Sequence, residues 1–393
     1  MPVDAWFSTS LPSAWAYAHT DTISRHHTNG FSMTLYAYHV NFTTPAFLGN
    51  AQQQAQWRTP PLKALLRQWW RVAVAQQVRY NTETLRQQEN ALFGTAADGE
   101  GDSRQSLIRI RLSHWNMGKL TSWKGLEQES IPHAEAEKSQ YLVGPHAYLG
   151  YGPLDGRGGT QFSRKEGTAI QAGDTATFSL AFVPRREMDA DTQRQHERNI
   201  QIALWLMDRY GTLGGRSRNG WGSLSLQPAD DGTAALDGQL GSTLKLPWQD
   251  ALQRDWPHAL GTDAKGALVW QTAAFDDWKK LMQELARTKI ALRTKFKFPH
   301  ERPDGLVHDR HWLSYPVTTH GVKTWGGNAR LPNSLRFKVR PAPGNPQQLV
   351  GVIFHVPCLP PPAFQPDLRA IERVWQTVHA LLDAQPALRR IPA

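Results

Sequence analysis

The chain has 393 residues, 40% of them hydrophobic, with 44 Lys and Arg against 34 Asp and Glu, a formal net charge of +10 and a single cysteine, Cys358. Its length excludes one small module and points to two domains, and the positive balance favours an acidic polymer as partner. An internal disulfide and a cysteine zinc cluster are excluded; without an export leader or an apolar run of about 18 residues, the expectation is a cytoplasmic protein with no membrane partner.

Residues 1–30 mix Ser, Thr and the pair His26-His27 without periodicity and are expected to form an N-terminal arm. Phe31 to Phe42, rich in aromatic and branched residues, predicts a first strand, broken at Thr44-Pro45. Thr59-Pro60-Pro61 predicts a helix start, with threonine as N-cap and proline where its missing amide does no harm, and the helix is expected to run to about Tyr80. Leu62, Leu65, Leu66, Trp69 and Ala73 make its buried stripe. Lys63, Arg67 and Arg71 share another face, Arg58 lies just ahead, and no acidic residue occurs between Trp57 and Arg79. A stable surface helix mixes charges at this spacing, so the basic face predicts an anionic strand lying along it.

After a loop over residues 93–104, the run Ser106 to Leu112 alternates, placing Ile108, Ile110 and Leu112 inward and Arg109 and Arg111 outward on a basic strand. Residues 113–172 lack periodicity and read as a long irregular insertion, in which Tyr148 to Pro153, including Tyr151, and Arg157-Gly158-Gly159 mix aromatic rings, glycine and arginine. A strand over Gly173 to Val183 and a helix from about Asp191 to Tyr210 lead to the run Gly211 to Gly222, which holds five glycines, Arg216, Arg218 and Trp221. Glycines such as Gly214 and Gly215 let backbone amides approach a ligand, the arginines supply cations, and Trp221 and Tyr151 offer faces for unpaired bases, a combination suited to phosphate and single-stranded nucleic acid. The loop follows a helix and precedes a strand, the reverse of a dinucleotide fingerprint, so ATP and NAD are disfavoured and no cofactor is expected.

Strand, helix, strand, strand, helix, strand over residues 31–227 fits a split βαβ sheet. The small, polar stretch Pro228 to Gly241 marks a boundary, giving a first domain 31–228, a linker 229–246 and a second domain 247–393. In the second, a strand near Ala267 to Thr272, a helix from Asp276, strands at Leu335 to Arg340 and Leu349 to Val356, and a helix from Asp367 to Ala384 are predicted. Lys279 to Phe298 carries seven Lys and Arg against Glu284, another candidate phosphate rail, extended by Arg330, Arg336, Lys338 and Arg340.

The ordered set Phe42 to Gly49, Arg58 to Arg71, Leu92 to Gly94 before Ser106 to Arg111, Tyr148 to Gly152, and Gly211 to Gly222 resembles the RAMP superfamily of CRISPR proteins. More narrowly it is similar to the first-numbered subunits of type III-B (Cmr) RNA-targeting effectors. The resemblance implies an α+β fold of two tandem ferredoxin-like, RRM-related domains with a long irregular insertion in the first. It also implies a place in a guide ribonucleoprotein near the 3′ region of the guide RNA and the bound target RNA, with other RAMP subunits as neighbours and no catalytic role. Arg58, Arg67, Trp69, Trp70 and Arg71, and Gly214, Gly215, Arg216, Arg218, Gly220 and Gly222, match the family motifs.

Two alternatives remain open. Some relatives process guide RNA without metal through histidine, and His26, His114, His146, His308 and His311 lie near basic or glycine-rich stretches, so a guide-processing endoribonuclease is one. The other is an assembly subunit whose basic faces meet acidic proteins. The spacing of His308 and His311 lacks the pattern of a metal site, and Cys358, in an apolar strand, reads as an inert thiol.

Overall fold

The computed structural model describes residues 26–28, 31–96, 103–133, 142–156, 159–163, 167–233, 235–236, 241–299 and 304–392. The expected N-terminal arm, apart from 26–28, and part of the expected linker lie outside them.

Strand β1 (His26–Thr28) pairs with β2 (Phe31–Phe42) as an antiparallel hairpin. Helix α1 (Thr59–Val74) has Pro60 and Pro61 in its first turn, where no backbone amide is needed; Thr59, expected as the cap, is instead its first residue. It ends before Tyr80, because Arg79 and Tyr80 turn to φ +50° and +58°. Helix α2 (Thr82–Phe93) was not predicted; Asn81 caps it by accepting from the Thr84 amide at 2.8 Å, and it buries Leu85, Glu89, Leu92 and Phe93. Strand β3 (Ile108–Leu112) shows the predicted alternation, with Arg109 and Arg111 exposed.

The insertion carries two small antiparallel pairs, β4 (Ile131–Pro132) with β5 (Leu142–Val143) and, after helix α3 (Pro145–Gly150), β6 (Leu154–Asp155) with β7 (Gln161–Phe162). Strand β8 (Thr175–Phe182), helix α4 (Ala190–Tyr210), capped by Asp189, and strand β9 (Leu224–Pro228) complete the first unit. Its antiparallel pairings run β9-β2-β8-β3.

Beyond it, β10 (Lys245–Pro247) and β11 (Leu260–Asp263) pair in parallel around helix α5 (Trp248–Ala251), with β12 (Gly266–Ala267) at the edge. The second unit is β13 (Val269–Phe275), α6 (Trp278–Thr294), β14 (Leu335–Ala342), β15 (Asn345–His355), α7 (Leu368–Ala384) and β16 (Leu388–Arg390), in the antiparallel order β14-β15-β13-β16. The fold is therefore α+β with several small sheets.

The two units share their core. One face of the second sheet packs α1 and α4 of the first unit, with the Phe354 ring 4.8 Å from Tyr210 and 6.3 Å from Trp69. The other face joins Phe337, Val339 and Ile353 to α6 and α7 through Leu281, Leu285, Val374 and Val378. Both faces of β14 are thus covered, and Arg336, Lys338 and Arg340, expected to extend an outer basic region, are buried. Their physical role is different. Lys338, 0% exposed, reaches the Met207 carbonyl at 3.3 Å and that of Asp208, the negative end of α4, and Arg336 lies 5.8 Å over the Trp69 ring.

Candidate nucleic-acid interface

The glycine loop is the joint between the units. Gly214 takes φ +88°, and a Cβ there would lie 2.4 Å from the Phe47 carbonyl oxygen; at Gly222, φ +62°, it would lie 1.9 Å from that of Leu213. The glycines therefore serve close packing of the loop on its own chain. The amides of Gly215, Gly220 and Gly222 donate to Phe47, Ser217 and Pro45 carbonyls at 2.8, 3.1 and 2.9 Å, so these three do not form the expected phosphate cradle. Strand β14 is stitched to the loop: the Phe337 amide donates to the Arg218 carbonyl at 3.0 Å, the Val339 amide to the Ser223 hydroxyl at 2.9 Å, and Thr43 Oγ1 to the Val339 carbonyl at 2.7 Å.

Two loop residues expected to meet ligand face inward. Trp221 is 0% exposed, 5.2 Å from Phe47, 5.6 Å from Trp123, 5.8 Å from His146 and 6.0 Å from Trp278, an aromatic cluster that no base can enter. Arg218 donates from Nη1 to the Asn333 carbonyl at 2.8 Å, and burial lowers its pKa from the usual arginine value. It holds the second unit in place.

The basic face of α1 has the acidic partner that sequence proximity did not reveal. Glu89 on α2, 4% exposed, accepts from Arg67 Nε at 2.7 Å and from Arg71 Nε at 2.6 Å. Burial works against its charge, but hydrogen bonds and attraction from Arg71 and Arg67 prevail and hold the carboxyl below the ordinary range. Lys63 donates to the Phe93 carbonyl at 2.9 Å, and Arg58 to that of Gly49. Lys63 and Arg67 line an open depression of about 470 Å³ with Phe93, Thr95, Arg104 and Ser106. The expected self-repelling rail is thus an internally paired surface carrying one excess positive charge over its Arg67, Arg71 and Glu89 trio.

Uncompensated charge gathers elsewhere, where the loop meets α3 and α6. Arg216, at φ +54°, is exposed, and its guanidinium lies over Gly152, 3.4 Å from where a Cβ would sit. Lys289 of α6 donates to Asn219 Oδ1 at 2.7 Å and lies 5.8 Å over the Tyr148 ring, while Asn219 Nδ2 donates to the Leu149 carbonyl at 2.7 Å. Arg293 donates to Ser314 Oγ at 2.9 Å. Burial, then Arg293 and Arg216, drives the Lys289 ammonium well below its ordinary pKa; burial foremost, with Arg293, also lowers that of Arg216. Among the described residues no carboxylate pairs with Arg216, Lys289 or Arg293. Tyr151 stands beside them, 62% exposed. Lys289 and Arg293 belong to the predicted rail, but only their i, i+4 spacing toward the end of α6 hinted that they share a face.

Arg109 and Arg111 lie exposed on β3, the end strand of the first sheet, and Arg157 lies outside the described residues. The histidines are largely engaged. His114 Nε2 meets the Thr175 carbonyl at 3.0 Å; His146 Nε2 meets that of Lys279 at 3.0 Å, and burial brings its pKa to about 4. His311 Nδ1 accepts from the His308 amide at 2.9 Å and its Nε2 meets the His320 carbonyl at 3.1 Å. His308 Nε2 pairs with Asp304 at 2.8 Å, and His26 lies in β1. Cys358 sits beyond the end of β15 rather than within a strand, and burial raises its thiol pKa. Among the described residues no group of three His, Cys, Asp or Glu is placed to hold a metal, and no helix is long and apolar enough to cross a membrane.

Residues 39–225 match the RAMP superfamily, a span from β2 into β9 that takes in α1, α4 and the glycine loop, and the resemblance read from the motifs is borne out there. No curated protein matches the chain. Among solved structures, Cmr1 from Pyrococcus furiosus in its apo form is similar at 15% identity, over 87% of this chain and 96% of that one, with a TM-score of 0.42. A chain of the type III-B Cmr-beta complex bound to cognate target RNA is 12% identical, over 88% and 99%, with a TM-score of 0.42. A chain of a type IV-B CRISPR complex is 12% identical, over 52% and 93%, with a TM-score of 0.28.

Proposed function

We propose that this RAMP-superfamily chain is an RNA-binding, non-catalytic component of a type III-B CRISPR effector ribonucleoprotein, built from two ferredoxin-like domains and lying along the 3′ region of the guide and its target RNA beside other RAMP subunits. The strand orders β9-β2-β8-β3 and β14-β15-β13-β16, with a helix after the first and third strand of each unit, support the domain reading. What carries the RNA reading is the unneutralised group Arg216, Lys289 and Arg293 at the joint: like charges gathered without a carboxylate raise the energy of the free protein and are relieved by a polyanion. Arg109 and Arg111 on the outer face of β3 add a second basic surface.

Sequence choice then belongs to guide pairing, since cations contact a backbone that is the same for every sequence. His114 and His311 have both ring nitrogens engaged and His146 is buried among aromatic rings, which favours the non-catalytic reading, because a general base needs a free, accessible ring nitrogen beside the attacking hydroxyl.

The test is to isolate the complex from its host through a tag on this chain, crosslink it with ultraviolet light and sequence the RNA attached to the chain. Guide and target sequences are expected; a chain that joins the complex yet carries no crosslinked RNA is an assembly subunit.

A further inference from the structure

We infer that Arg216, Lys289, Arg293 and the Tyr148 hydroxyl form a site for one backbone phosphate of single-stranded RNA, shared between the two units, with the adjoining base stacked on Tyr151. The inference rests on the RNA-binding reading above and adds which residues, which strand state and which arrangement of the chain the contact requires.

Three observations converge. The donors come from separate parts of the chain and are held by packing: Arg216 by the glycine loop, Tyr148 by α3, and Lys289 and Arg293 by α6. Asn219 fixes their relation, since it accepts from Lys289 and donates to Leu149 at 2.7 Å each. Second, the cluster has donors in excess. Among the described residues Arg216 has no carboxylate partner and the buried Tyr148 hydroxyl has no hydrogen-bond partner, a state that costs free energy unless an acceptor arrives. A phosphate oxygen is an acceptor that also carries the missing charge. Third, Tyr151 directly precedes Gly152, over which the Arg216 guanidinium lies, so an exposed ring stands beside the cations. Stacking on that ring needs an exposed base face, which an unpaired strand offers and an A-form duplex does not.

Because the donors span both units, the site exists only while β14 and α6 keep their places against the glycine loop. A fragment of either unit alone lacks part of it.

The experiment uses the full chain, with short single-stranded oligouridine and the corresponding duplex as probes, affinity being followed by fluorescence anisotropy over a salt series. Lys289→Met and Arg293→Gln are each expected to flatten the log–log salt dependence for the single strand, and together by about 0.7, the whole contribution of one phosphate. Tyr151→Ala is expected to weaken single-strand binding about tenfold, with Tyr151→Phe near wild type and duplex binding unchanged by either. Arg194→Gln, an exposed arginine at the start of α4 paired with Asp191, is the control with the wild-type curve. Thermal unfolding of each variant separates loss of the site from loss of the fold. Wild-type affinity and salt slope in the Lys289→Met/Arg293→Gln double variant would overturn the site while leaving RNA binding standing. If that variant also fails to join the complex, the cluster is a protein contact and the inference is wrong. A wild-type chain that holds neither probe sinks both this site and the reading beneath it.

Discussion

Glu89 and Arg71 meet in a two-pronged ion pair, Arg71 donating from Nε to Oε2 at 2.6 Å and from Nη2 to Oε1 at 2.7 Å, and the pair fastens α2 to α1. Glu89 is nearly inaccessible while Arg71 keeps 43% of its side chain in water, so the carboxylate bears most of the desolvation. Glu89→Gln removes the charge but keeps the shape, leaving two guanidinium groups facing each other. We expect a loss of about 1–3 kcal/mol, discounted for the exposed arginine ends, in denaturant titration. Arg71→Gln should likewise lower stability and leave the salt slope of RNA binding unchanged; a flatter slope would restore α1 as a phosphate track.

This pair also shows where the sequence stopped being legible. Local periodicity located most of the longer strands and helices of both units to within a few residues, because each is amphipathic on its own scale, though α1 stops six residues short of its expected end. It missed β16, only three residues long, and α2, whose stripe is Leu85, Glu89 and Leu92, with a carboxylate where an apolar residue would have given the pattern away. The partner of Arg67 and Arg71 stands 22 and 18 residues away, beyond any helix-face rule. The glycine loop was recognisable as special, but Trp221 is buried by Phe47, Trp123, His146 and Trp278, and Arg218 turns in to the Asn333 carbonyl 115 residues downstream, and no local pattern carries that docking. For the same reason Arg336, Lys338 and Arg340 read as a polar outer face: only the presence of α4 behind β14 turns that face inward.

Gly222→Ala separates steric from torsional cost. Both Gly222 and Gly326 hold positive φ, +62° and +73°, but a Cβ at Gly222 would meet the Leu213 carbonyl whereas nothing lies within 4 Å of one at Gly326. Gly326→Ala should cost about 1 kcal/mol, the torsional term alone. Gly222→Ala should cost at least about 2 kcal/mol and weaken RNA binding with it, since the loop it distorts seats Arg216. Equal unfolding midpoints for the two variants would contradict the close packing of the joint.

The second unit should be acid-sensitive. His379 Nε2 meets His355 Nδ1 at 2.9 Å, and His355 Nε2 meets the Ser334 hydroxyl at 3.0 Å, all in the interior. Burial holds His379 at a pKa of about 4 and His355 well below its ordinary value, the latter helped by His379 and Arg336. In the unfolded chain both titrate near the ordinary histidine value, so between that pH and about 4 the unfolded state binds more protons. Stability is then complete above about pH 6.5 and declines as pH falls through that window, by about 3 kcal/mol for His379. His379→Gln should flatten the acid limb of a stability–pH curve; an unchanged limb would mean that the buried pair is not what titrates.

Arg216 and Arg218, one residue apart, should separate binding from architecture. Arg216 is an exposed residue whose guanidinium lies over Gly152 and is expected to contribute only to ligand binding, so Arg216→Gln should leave the thermal midpoint close to wild type while flattening the salt dependence of single-strand binding by no more than the about 0.7 that one phosphate contributes. Arg218 is spent on the Asn333 carbonyl, so Arg218→Gln leaves a half-buried acceptor without its charged donor and should cost about 1 kcal/mol of stability. Any loss of RNA affinity in Arg218→Gln should follow from loosening of the joint, and should recover when the folded fraction is restored at lower temperature. If the two substitutions exchange these signatures, the assignment of the loop's outer and inner arginines is reversed.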